Sequence, residues 1–193
     1  KNEKKITGGK NGYGAKLTNI FSNEFVVETV DHIRQKKFIQ KYENNMKIKN
    51  KPIITESKLK PYTLITFKPD LKRFNITELG EGLLKMIKKR AFDLAACTDK
   101  QLVVYYNNQK IEHKNFEQYI DLYLGNKNDQ SRAFETVNER WEIAASVSND
   151  NQFEQISFVN GVCTTRGGKH VDHVTNIIVK KIADYIQKKK KIN

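Results

Sequence analysis

The sequence predicts an α+β fold, on three observations. Runs rich in β-branched and aromatic residues occur at 25–30, 37–42 and 62–67, the composition of strands. Leu83, Leu84, Ile87, Ala91, Leu94 and Ala95 recur at spacings of three and four, which makes one apolar stripe on a helix. Val171, Val174, Ile177, Ile178, Ile182, Tyr185 and Ile186 repeat that pattern near the C-terminus. With 193 residues, 38% hydrophobic and 30% charged, and only 10 Gly and 3 Pro, the chain is too apolar for general disorder. It is also too poor in Gly and Pro for a fibrous class, and its length suits one or two domains. No apolar stretch approaches the ~18 residues that span a bilayer, and the charged first residues do not read as a signal peptide. Cys97 and Cys163 lack C-x-x-C spacing, so a disulfide framework or zinc site is not expected. A soluble, reduced, intracellular protein is the expectation.

In chain order, a glycine loop at 7–14 leads to a short helix over about 15–21. Strands follow at 25–30 and 37–42. The Lys/Asn-rich stretch 44–59, interrupted by Pro52, should hold a turn and an edge strand, and the strand at 62–67 ends at Lys68-Pro69-Asp70. The helix over 81–97 precedes a hairpin, 102–106 with 110–111, turning at Asn107-Asn108. Phe116, Ile120, Tyr123 and Leu124 mark a short helix ended by Gly125. Strands are expected at 133–138, 141–148 and 155–164, with Trp141 as a core anchor, before the last helix from Val171. A domain boundary is expected near 112–115. No 20–50 residue repeat is present.

The net charge is +13, from 35 Lys+Arg against 22 Asp+Glu. A polyanionic partner would account for it, because Lys and Arg displace counterions from phosphate. Yet 29 Lys stand against 6 Arg, beside 19 Asn and 19 Ile, the residues that an A/T-rich genome inflates. Arg is the better bidentate reader of phosphate and base, so charge alone leaves both readings open.

The most informative segment is Thr7-Gly8-Gly9-Lys10-Asn11-Gly12-Tyr13-Gly14-Ala15-Lys16-Leu17. Its G-x-x-G-x-G spacing precedes helix-compatible residues. Glycine can turn successive N–H groups toward one point, and the helix start adds unpaired amides and the positive dipole end, which together suit a triphosphate. Lys10 and Lys16 could add charged contacts, and Asn11 a side-chain amide. A phosphate-cradling Walker loop is absent, since Gly14 is followed by Ala15-Lys16-Leu17 with no hydroxyl for magnesium. The dinucleotide fingerprint fails because Leu17 stands at its third glycine and no strand precedes it. A ligand-free flexible loop remains the alternative.

The run from Gly8 to Leu17, continuing Thr18-Asn19-Ile20-Phe21-Ser22, resembles the ATP-lid glycine motif of eukaryotic type II DNA topoisomerases. Matching segments follow in order at 62–70, 89–95, 155–160 and 167–172, so the resemblance covers essentially the whole chain. It implies that residues 1–113 are the C-terminal part of a GHKL-type α/β sandwich ATPase domain, and that 114–193 begin a βαβ-type transducer domain. It further implies that Gly9, Lys10, Asn11, Gly12, Tyr13, Gly14, Ala15 and Lys16 bind the ATP triphosphate. The family's catalytic glutamate, its magnesium-binding asparagine and its adenine-binding aspartate box all precede the glycine motif, and its cleavage tyrosine lies elsewhere. The chain is therefore expected to be a piece of a larger protein, with no catalytic residue and no metal ligand of its own, unable alone to hydrolyse ATP. For the parent the resemblance implies ATP with Mg2+, double-stranded DNA as partner, homodimerisation through the ATPase region and a nuclear location. Other GHKL ATPases, of mismatch-repair or chaperone type, share the glycine loop but not the full run. A non-catalytic, basic nucleic-acid-binding module is the third reading.

Weaker signals are set beside their plainer explanations. Lys188, Lys189, Lys190 and Lys191, with Lys180 and Lys181, are either a solvated chain end or, by the resemblance, a face toward captured DNA. Arg166-Gly167-Gly168-Lys169-His170 could form an anion nest, although a strand-to-helix turn explains the glycines. His170 and His173 have metal-ligand spacing without a third ligand. Cys97 and Cys163 read as small buried hydrophobes.

Overall fold

In the computed structural model, which describes residues 8, 9, 11–128, 130–148 and 150–190, the aromatic and β-branched runs of the first part pair into one antiparallel sheet. The described residues cluster into two compact units, Gly9–Glu81 and Gly82 onward, with Gly8 belonging to the latter. The division expected near 112–115 falls inside the second unit.

The first unit opens with α1 (Tyr13–Ile20), followed by β1 (Ser22–Asp31), β2 (Lys36–Glu43), β3 (Ile48–Lys49), β4 (Ile53–Glu56) and β5 (Tyr62–Pro69). A 3-10 turn, Leu71–Phe74, follows β5. The sheet runs β3-β2-β1-β5, with β4 also on β2. Register sets Phe25 opposite Tyr42 and Phe67, and Val27 opposite Gln40 and Ile65, so alternate residues make an apolar face. The opposite face carries cross-strand ion pairs. Lys37 meets Glu28 at 2.9 Å, while Glu24 meets Lys41 at 2.8 Å and Lys68 at 3.2 Å. The β1–β2 turn is closed by Asp31, whose Oδ1 accepts from the N–H groups of Ile33 and Arg34 at 2.9 and 3.1 Å. Phe25 and Val30 are its buried apolar residues. The stretch expected to hold one edge strand contains two short ones: Asn44, Asn45 and Met46 take positive φ and turn the chain into β3, and the segment 50–52, where Pro52 has no N–H to donate, separates β3 from β4.

The second unit holds α2 (Glu81–Cys97), a hairpin of β6 (Tyr105–Tyr106) and β7 (Gln109–Lys110), and α3 (Phe116–Leu124). Then come β8 (Arg132–Asn138) paired with β9 (Trp141–Ser146), a hairpin of β10 (Phe158–Val159) and β11 (Val162–Cys163), and α4 (Lys169–Lys190). Asn107 and Asn108 both take positive φ, which two-residue hairpins favour. At α3, Asn115 Oδ1 accepts from Gln118 N–H, and Gln118 Oε1 accepts from Lys114 N–H, each at 2.8 Å. Gly125 ends the helix with φ 70°. Ala95, Ala96, Ile111, Tyr119 and Ile120 form the buried apolar core, with Asp93 and His113 buried among them.

Three expectations are corrected here. The strand expected over 155–164 is two short strands, because Asn160 and Gly161 take positive φ and fold the segment back on itself. Trp141, the first residue of β9, is 37% exposed, with its ring centroid 6.4 Å from that of His173 in an edge-to-face arrangement, so it is not a core anchor. The first helix begins at Tyr13, which puts Gly14 inside it.

Candidate functional site

The glycine segment ends in a helix that is fastened at one end and open at the other. At its C-terminal end, the Asn45 side-chain amide donates to Ile20 O at 3.0 Å and to Asp70 Oδ2 at 3.1 Å. Asp70 N–H donates to Phe21 O at 2.9 Å. The Phe21 ring lies 5.4 Å from Phe74 and under the Arg73 guanidinium at 4.8 Å. Ser22 Oγ donates to Thr18 O at 2.5 Å, and Thr18 Oγ1 to Gly14 O at 2.9 Å. The sheet therefore fixes the axis of α1.

Among the described residues, the N-terminal end has no such partners. Gly12 is the N-cap, left-handed at φ 68°, and no side chain caps the helix. The first amides of a helix have no acceptor within it and carry the positive end of its dipole. Here those are the amides of Gly12 through Ala15, and residues 11–17 are all exposed. Three glycines divide by cause. Gly8 has no room for a Cβ, which would overlap Val162; Gly12 needs its positive φ; Gly14 has open space and a helical backbone. Among the described residues, nothing requires glycine at 14. The same holds at Gly9, where an added Cβ also meets nothing.

Of the residues proposed for phosphate, Gly9, Asn11, Gly12, Tyr13, Gly14, Ala15 and Lys16 lie together on this exposed stretch. Lys10 lies outside the described residues. The sequence reading missed Asn45 and Asp70, which hold the helix from 25 and 50 positions beyond Ile20; only their turn-forming character hinted at them. A cavity of about 610 Å3 is lined by Lys88, Phe92, Tyr106, Ile111, His113 and Leu122 and includes no glycine-segment residue.

The basic cluster takes the last turn of α4, where Lys188, Lys189 and Lys190 are exposed and complement the helix dipole. Lys189 Nζ stands 5.8 Å over the Tyr185 ring. Lys191 lies outside the described residues. Before α4, Gly167 and Gly168 take φ 69° and 146°, and Gly167 N–H donates to Thr164 O at 2.9 Å, so they make the strand-to-helix turn. His170 bonds Thr164 Oγ1 through Nε2 at 3.1 Å while His173 faces Trp141, so the two histidines have different neighbours.

Comparison with known proteins adds independent findings. Residues 98–193 match the DNA gyrase B family. The chain is 49% identical to DNA topoisomerase 2 of Arabidopsis thaliana across 98% of its own length and 13% of that relative. It superposes on the crystal structure of the ATPase region of Saccharomyces cerevisiae topoisomerase II with a TM-score of 0.86 and 46% identity, covering 96% of this chain and 49% of that one. The ATPase and transducer domains of DNA topoisomerase II from Balamuthia mandrillaris give a TM-score of 0.85 at 43% identity, over 95% of this chain and 46% of that one.

Proposed function

The chain belongs to the eukaryotic-type DNA topoisomerase II family, and from that premise we propose that its glycine segment binds the triphosphate of ATP within an ATP-operated gate. The observation that carries this reading is the uncapped, exposed start of α1, with a glycine at 14 that the fold itself does not need. The amides of Gly12, Tyr13, Gly14 and Ala15 donate to phosphate oxygens, and Lys16 adds positive charge. Because Asn45 and Asp70 hold the far end of α1, these donors are in place before the ligand arrives. Gly9 allows close approach, Lys10 adds a positive charge and Asn11 a side-chain amide.

In this reading, residues up to about 113 serve the ATPase portion and those from about 114 the transducer portion. Phosphate binding biases the gate toward a closed homodimer around double-stranded DNA, and loss of the γ-phosphate contacts releases it. Lys188, Lys189, Lys190 and Lys191 face the captured duplex. Magnesium and the catalytic base are supplied by residues other than those of this chain, and the parent enzyme is nuclear. None of these steps needs a catalytic residue here.

Nucleotide-driven dimerisation of the ATPase region containing this chain tests the proposal. With a non-hydrolysable ATP analogue, sedimentation should show dimers for the unaltered protein and for Asn11→Ala at higher analogue concentration. Gly14→Val, which puts a branched side chain where the phosphate must approach, should remain monomeric. Dimerisation of Gly14→Val at unchanged analogue concentration would refute the assignment.

A further inference from the structure

Two of the 19 asparagines stand directly before a glycine, at Asn11-Gly12 and Asn160-Gly161. In such a pair the glycine amide nitrogen can attack the asparagine side-chain carbonyl carbon, because no Cβ shields that nitrogen. The attack requires the peptide between the two residues to rotate. Conformation therefore decides which pair reacts.

The two pairs differ in this respect. Asn11 and Gly12 are both exposed, and a Cβ added at Gly12 would meet nothing within 4 Å. Among the described residues the Asn11 carboxamide has no partner, and no backbone bond outside the helix ties the 11–12 peptide. Asn160 and Gly161 instead form the two-residue turn of the β10–β11 hairpin, at φ 50° and 73°. Val159 opposite Val162 closes that turn, and Arg90 donates to Gly161 O at 2.5 Å. Gly161 is also half-buried, with Cys97 Cβ 3.9 Å from where a Cβ of its own would stand. Rotating the 160–161 peptide breaks the hairpin.

We propose that Asn11 is a self-modification site, converted through a cyclic imide with Gly12 to aspartate or isoaspartate, and shielded by triphosphate bound at Gly12. The shielding rests on the reading of the glycine segment given above; the modification itself does not. Gly12 N gives up its proton to solvent base and attacks Asn11 Cγ, forming the N–C bond. The Cγ–Nδ2 bond breaks, and the nitrogen takes up one proton and leaves as ammonia. Water then opens the ring at either carbonyl. The net change is one water in and one ammonia out, with no oxidant. Both products set a carboxylate where a phosphate is to be received, and isoaspartate also lengthens the backbone by one carbon before the Gly12 amide. A phosphate oxygen that accepts from Gly12 N–H holds the nitrogen away from Asn11 Cγ.

The ATPase region that contains this chain, incubated in heavy-oxygen water at mildly alkaline pH and followed by peptide mass spectrometry, tests the site. Solvent oxygen should enter at Asn11 at least about tenfold faster than at Asn160, the factor that about 1.4 kcal/mol of turn opening supplies. A non-hydrolysable ATP analogue at about ten times its dissociation constant should slow Asn11 by about tenfold and leave Asn160 unchanged. Asn11→Asp should need at least about tenfold more analogue than the unaltered protein to dimerise. Equal rates at the two pairs overturn the proposal, and that comparison needs no variant to fold. An unchanged Asn11 rate in analogue-bound dimers overturns the shielding. Fresh protein that forms no dimer with the analogue removes the triphosphate reading and the shielding with it, while the ratio of Asn11 to Asn160 decides the modification by itself.

Discussion

The Tyr119 hydroxyl donates to Asp93 Oδ1 at 2.7 Å, tying α3 to α2 across 26 residues of sequence. Both groups are buried, Tyr119 at 2% and Asp93 at 3% exposure. Burial first, and then the bond to Asp93, push the phenol far above its ordinary range, so it is a permanent donor. Tyr119→Phe removes that donor and leaves Asp93, among the described residues, with Lys89. The expected loss is about 1–3 kcal/mol, the cost of an under-satisfied buried acceptor, read as a lower urea midpoint. A midpoint equal to the unaltered protein would show that the bond adds nothing.

Gly12 and Gly14 should separate stability from binding. Gly12→Ala forces a side chain into φ 68° and should cost about 1–2 kcal/mol. Gly14→Ala meets open space on a helical backbone, so thermal melting should stay level or rise slightly, since alanine is the better helix former. Its nucleotide affinity should nevertheless fall. A stability loss at Gly14→Ala would place the glycine requirement in the fold.

The Glu28 carboxyl is held below its ordinary 4.5, first by the Tyr62 hydroxyl and then by Lys37. Glu24 is lowered in the same way by Lys41 and then Lys68. Because the folded values lie below the unfolded ones, this stabilisation is complete above the ordinary carboxyl range and disappears as pH falls through the folded values. Urea midpoints should therefore decline from about pH 6 to about pH 3. Glu28→Gln should make that decline shallower, and an identical pH profile would contradict the sign.

Neutralising Lys188, Lys189 and Lys190 together should reduce the salt slope of duplex binding by about three if each touches a phosphate. Fluorescence anisotropy across a salt series measures it. An unchanged slope would return these lysines to the solvated surface.

Asn115→Ala should cost about 1 kcal/mol by removing the side-chain acceptor at the start of α3. Thermal denaturation would detect it as a lowered midpoint, whereas Asn115→Ser, also a good cap, should recover most of the loss.

Local patterns were legible wherever they were long. The stripe from Leu83 to Ala95 predicted α2 over 81–97, where it lies, because helical spacing repeats over several turns. Residues 155–164 misled because a β-rich composition does not announce a two-residue turn when its first member is asparagine. Asn160 tolerates positive φ, and Gly161 then completes the reversal. The helix start moved to Tyr13 for a similar reason: Gly12, left-handed at φ 68°, is the cap and the helix begins directly after it.

By itself the sequence determined the α+β class, the glycine run and the family, since these depend on order and spacing along the chain. Only the tertiary structure decided which glycine is needed for packing, which for φ and which for neither. It alone showed that Asn45 and Asp70 fasten α1, and that Lys89 reaches Cys163 across 74 positions. Such relationships depend on distances between atoms far apart in sequence, and those distances exist only once the strands have paired and the helices have packed.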